Sequence, residues 1–179
     1  MGKKVPCHLV AMSRTSTLKH QHDDIVAMAE RALDLIDAYR GVDQQAYSIS
    51  VQLAKLFGLL RIHLMQEDLQ FYPWLTACGH PEAARLACVY FAEMGELAPK
   101  IEQFSRRWSS SSVITGSFEQ FRIHARALIA TIELRIEREN GFLYPLADLL
   151  AERELSESPV PPPPRRPAPS VSRQPALRA

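Results

Sequence analysis

Apolar residues recur along this chain at intervals of three and four, the period of a helix with one buried face. Leu18, His22, Ile25, Val26, Ala29, Leu33 and Ile36 share one side over roughly residues 17–40, a run that ends near Gly41. A second stripe over about 44–77 carries Leu53, Leu56, Leu60, His63, Glu67, Phe71 and Trp74. It ends near Gly79, and Pro81 opens the next helix. Over about 81–110 the stripe is Leu86, Tyr90, Leu97, Ile101, Phe104 and Trp108, and Pro99 is expected to kink it. The run SSSSVITGS (109–117) reads as a polar loop. From about 117 to 153 the stripe is Phe121, Leu128, Ile132, Phe142, Leu143 and Leu146. Four long helices with short connections predict an all-α fold, an up-down-up-down four-helix bundle.

Two stretches break the apolar pattern in the same way. HLMQEDLQFYPWL (63–75) puts a histidine and a glutamate one turn apart on the buried stripe, then reaches a proline. A carboxylate on such a face costs several kcal/mol unless something pairs with it. RIERENGFLYPLA (135–147) repeats the ending: Glu67-Asp68 becomes Glu139-Asn140, and Phe71-Tyr72-Pro73 becomes Leu143-Tyr144-Pro145. Each glutamate sits six residues before its proline, and Arg135 stands where His63 maps. Helices two and four therefore share one device, as in a bundle with internal two-fold symmetry.

Composition places this helical chain in a broad class. Its 179 residues suit one domain, with a bundle over 17–155 behind an N-terminal arm, 1–16. The formal net charge of +1 gives no strong field for nucleic acid or a membrane surface. MGKKVPCHLVAM has too short an apolar run for a signal peptide, and no later segment reads as long and apolar enough to span a bilayer. Cys7, Cys78 and Cys88 form no C-x-x-C pair, which suits reduced thiols in a cytoplasm. Residues 156–179, with most of the prolines and several arginines, are expected to form a disordered tail that can bind a protein partner.

These residues also carry a family resemblance. H-x-x-x-E followed by a proline six residues on is similar to the second helix of the hemerythrin-like (HHE, cation-binding) bundles, matched by His63 and Glu67. The first helix of that family carries a histidine in a pattern like E/Q-H-x-x-I, matched by QHDDI (21–25) with His22. Its fourth repeats H-x-x-x-E before Y/F-P, matched in part by Glu139. The resemblance covers about 17–152 and implies a non-haem iron site, often di-iron, in proteins that carry or sense oxygen, nitric oxide or redox state, or handle iron. Histidine and glutamate four apart lie roughly 6 Å from each other on one helical face, within reach of one metal or a metal pair. Mixed imidazole and carboxylate suits iron or manganese.

The ligand set departs from the family at two helices. Where its third helix brings histidine, FAEMGEL (91–97) offers Glu93 followed by Met94. In the fourth, histidine is replaced by Arg135, which cannot deprotonate to bind a metal. His22, His63, Glu67, Glu139 and Glu93 remain as candidate ligands, enough for one metal and thin for two. Each has a plainer reading. His63 with Glu67 can be a satisfied core pair; His22 and His20, two apart, cannot both face inward; and Glu139 can partner Arg135 or Arg138 on the helix surface. Arg135 either snorkels to solvent or supplies the positive charge that a metal supplies elsewhere, pairing with Glu67, Glu93 or Glu139. His124, His80 and His8 read as surface or packing residues. Two classes of function stay open: an iron-binding sensor or iron-handling domain, and a metal-free bundle acting as a regulatory or interaction module. No nucleophile-base pair or phosphate loop marks an enzyme.

Overall fold

The computed structural model describes residues 15–157, with the side chains of 93–95 and 154–157 left aside. The expected arm and the Pro/Arg-rich tail fall almost wholly outside these residues, as does His8. Every regular element described is helical: α1 (Ser16–Asp37), α2 (Asp43–Gln66), α3 (Tyr72–Ala77), α4 (Pro81–Arg107), α5 (Ser111–Gly116), α6 (Phe118–Arg138) and α7 (Tyr144–Glu157). α1 packs on α2 and α6, and α4 packs on α3 and α6. The stripes meet in one core that includes Ile25 and Ala29 from α1, Leu53, Leu56 and Leu60 from α2, Leu97, Ile101 and Phe104 from α4, and Phe121, Ile129 and Ile132 from α6.

Local chemistry sets the helix ends. The chain turns after α1 at Gly41 and after α3 at Gly79, both at positive φ, where only glycine lacks the steric penalty. Pro81 starts α4 at a position whose N–H needs no intrahelical acceptor, and the His80 ring caps the same helix by accepting from the Ala83 N–H. α4 runs through Pro99 as one helix. The stretch expected to be a polar loop contains α5 instead. Ser110 caps it by accepting from the Val113 N–H, and Ile114, fully buried, anchors it to the core.

Two five-residue π turns, Glu67–Phe71 and Glu139–Leu143, join α2 to α3 and α6 to α7. Pro73 and Pro145 have no N–H to continue the ladder, and the hydrogen bonds reset one residue longer. The Tyr72 N–H bonds to the Glu67 carbonyl and the Tyr144 N–H to the Glu139 carbonyl, each five residues back. The repeated sequence device is thus a repeated backbone device. It corrects one stripe assignment: Phe142 is 70% exposed, because the wider turn hands the buried face to Leu143, Tyr144 and Ala147. With no break at the π turn, Asp43–Ala77 is one helical run of 35 residues, long and apolar enough to cross a membrane by length and composition. That corrects the reading that no segment qualifies. Here its apolar face lies in the protein core, and it carries the buried His63 and Glu67.

Candidate metal centre

His22 from α1, His63 from α2, and Glu67 and Glu139, which open the two π turns, are all buried to within 1%. His20, two residues from His22, is exposed. The ligand atoms of His22, His63 and Glu139 lie within 4.8 Å of one another. His22 Nε2 stands 3.0 Å from His63 Nε2 and 3.2 Å from Glu139 Oε2. Glu67 Oε2 approaches His63 Nε2 to 3.6 Å and has no hydrogen-bond partner among the described residues. Glu93 lies in α4, but its side chain is outside those described. The structure therefore draws three of the five sequence candidates into one cluster and sets Glu67 beside it.

The outer nitrogens of both imidazoles are held by amides. His22 Nδ1 is 2.9 Å from Asn140 Oδ1, and His63 Nδ1 is 3.0 Å from Gln21 Oε1. The Gln21 amide nitrogen donates to Gln66 at 2.9 Å, which leaves its oxygen for His63. Carbonyl oxygens accept, so both Nδ1 atoms carry the proton and both Nε2 lone pairs face inward. That is the tautomer a metal-ligating histidine needs, fixed by the partner of its other nitrogen. Two lone pairs 3.0 Å apart, with a carboxylate oxygen beside them, repel unless a cation or proton lies among them. Converging lone pairs and an orphaned carboxylate oxygen are what a cation would satisfy, so these residues fit a metal.

Two tyrosines complete the cluster, and they cross between helices. Tyr144, after the second π turn, donates its hydroxyl hydrogen to Glu67 Oε1 in the first, at 2.8 Å. Tyr72, after the first, donates to Glu139 Oε1 in the second, at 3.2 Å. Arg135 joins only one of these pairs. Its Nη2 donates to the Tyr72 hydroxyl at 2.6 Å and to Glu139 Oε1 at 2.5 Å, and Nη1 donates to the Tyr90 carbonyl at 3.2 Å. At 10% side-chain exposure it points into the cluster, not out to solvent.

Proton affinities follow from this layout. Burial, reinforced by the facing His22 and by Arg135, lowers the His63 pKa to about 3 against the pull of Glu139. Burial and the Glu139 charge raise Glu67 to about 8, with the Tyr144 hydrogen bond and Arg135 opposing. Burial pushes Glu139 the same way, but a proton lying between it and His22 Nε2 while no cation is bound, together with the Arg135 charge, outweighs burial and holds it below the usual carboxylate range. One carboxylate is thus ionised and the other protonated, as expected where two like charges share a dry site. Burial and then the facing carboxyl groups of Glu67 and Glu139 raise both tyrosines above the ordinary phenol value.

Over residues 12–147 the sequence matches the hemerythrin HHE cation binding domain. The chain belongs to that family. Comparison with curated proteins and with solved structures returned no match. Among the described residues of this hemerythrin-family chain, His22, His63 and Glu139 form a group that could hold a cation. Two other described histidines lie elsewhere: His124 is packed against Trp108, with ring centroids 5.7 Å apart, and His80 caps α4. Sequence reasoning named neither the tyrosines nor the two amides. The repeated Tyr-Pro was the signal for the first pair. For the second there was none, because Gln21 and Asn140 are unremarkable polar residues until folding places them against the imidazoles.

Proposed function

We propose that this chain is a four-helix bundle that binds a single non-haem iron and acts in the cytoplasm as a sensor of oxygen, nitric oxide or redox state, or in iron handling. The observation that carries this reading is the convergence of His22 Nε2, His63 Nε2 and Glu139 within 4.8 Å. Two imidazoles and a carboxylate suit iron better than a soft-metal site. His22, His63 and Glu139 would hold the ion, with Glu67 beside them, and bound iron would supply a redox-active centre for a diatomic ligand. Arg135 argues for one metal instead of two: it replaces a family histidine, and its charge already neutralises Glu139. Elemental analysis of protein produced with added iron should return up to one iron per chain, removable by chelation. Two irons per chain would contradict the substituted-cation reading, and none would contradict iron binding.

One observation favours a second reading. Arg135, Tyr72 and Glu139 bond to one another without any metal. A metal-free bundle acting as a regulatory or interaction module, with the Pro/Arg-rich segment engaging a protein partner, follows if purified protein holds no iron and chelators leave its thermal midpoint unchanged.

A further inference from the structure

Tyr72 and Tyr144 are equivalent in sequence and unlike in their surroundings. Tyr72 shares its hydroxyl between Glu139 and the Arg135 guanidinium. Tyr144 meets imidazole where Tyr72 meets arginine. Its hydroxyl lies 2.8 Å from Glu67 Oε1 and 3.4 Å from His22 Nε2, and its ring stacks on His22 at 5.1 Å and 12°. Both rings are fully buried. His22, His63 and Glu139 offer three ligand atoms, and the Tyr144 oxygen is a further oxygen within hydrogen-bonding range of one of them.

We propose that Tyr144 is itself a ligand, its phenolate oxygen joining His22, His63 and Glu139 around a ferric ion. This inference rests on the iron reading above. Ferric iron is a hard cation that favours anionic oxygen, and a bound cation lowers the proton affinity of the groups around it. On binding, the Tyr144 O–H bond breaks as its oxygen–metal bond forms. The proton passes along the existing hydrogen bond to Glu67 Oε1 as the proton that Glu67 already holds leaves for solvent, and no electron moves. Glu67 thereby remains the proton holder of the site, and the hydrogen bond reverses, its O–H now donating to the phenolate. Arg135 keeps Tyr72 out of the same role, because its donors already engage that oxygen.

Ferric citrate added to the metal-free full-length chain tests the assignment, with iron content measured on the same sample. The expected result is a visible phenolate-to-ferric charge-transfer band, with phenolate ring vibrations enhanced in Raman spectra excited within it. Tyr144→Phe should keep its helical circular dichroism, still take up iron and lose both signals, while Tyr72→Phe keeps both. A Tyr144→Phe protein that binds iron and retains the band overturns the proposal. Should that variant fail to fold, Tyr72→Phe still decides, since loss of its band with iron bound assigns the phenolate to the wrong tyrosine. Wild-type protein with iron bound and no band removes the tyrosine ligand and leaves the iron reading intact. Absence of bound iron removes both.

Discussion

The Tyr144 hydroxyl, on the last helix described, donates to Glu67, 77 residues earlier, at 2.8 Å inside a fully buried cluster. Its sequence counterpart, Tyr72, reaches forward to Glu139 in the same manner. Each glutamate is thus oriented by the tyrosine that follows the other one. The two π turns are interlocked through these bonds, and a change at one carboxylate is felt on both helices.

Arg135→His tests how far a cation stands in for metal. The guanidinium is largely buried and bonded to Glu139, Tyr72 and the Tyr90 carbonyl. Removing one partner of a buried pair costs about 3–5 kcal/mol. Metal-free Arg135→His should therefore unfold at lower urea than wild type, and it should bind iron more tightly, because a ligand replaces a competing charge. No change in either urea midpoint or iron affinity would reduce Arg135 to a packing residue.

His63→Ala should abolish bound iron, since it removes one of three converging donors. His124→Ala should leave iron content unchanged, because that ring packs on Trp108, away from the cluster. Equal loss of iron from both proteins would show the metal to be adventitious.

Gln21→Ala and Asn140→Ala ask whether the amides set the histidine tautomers. Loss of such an outer partner typically weakens metal binding about 10–100-fold. Asn140 is exposed and Gln21 half-buried, so thermal midpoints of the metal-free variants should shift little. An iron affinity equal to wild type in both variants would refute the tautomer role.

Stability of the metal-free protein should peak in mildly acidic solution. Glu67 keeps its proton to about pH 8 when folded but releases it near 4.5 when unfolded. Folding then takes up a proton between those values, and this contribution is lost as pH rises across the window. His63 acts in the opposite sense. Its folded pKa of about 3 lies below its ordinary 6.5, so its contribution is present above 6.5 and lost as pH falls toward 3. Glu139, held low, adds to the acid-side loss. The opposed slopes of Glu67 and His63 offset one another between about 4.5 and 6.5, leaving a decline from about 6.5 to 8 that belongs to Glu67. Urea unfolding across this range should show that decline in wild type and not in Glu67→Gln. Persistence of the same slope in the variant would assign it to another group.

The helical fold, and the inward facing of His22, His63, Glu67 and Glu139, followed from the sequence by itself, because a 3.6-residue period projects one face of each helix onto the core. Arg135 was legible too, since the internal repeat assigned it the place of His63. The tyrosines were not. Five residues on from a glutamate, an α-helix has turned about 140° past its starting face, so Tyr72 and Tyr144 read as pointing away. Two π turns, forced by Pro73 and Pro145, bring them back onto the buried face. Phe142 was misplaced for the same reason, being counted on the stripe that the wider turn had already moved past it. Which tyrosine meets which carboxylate, and which amide holds which imidazole, was decided only by tertiary structure. Those bonds join residues 42 to 118 positions apart, beyond the reach of any helical period.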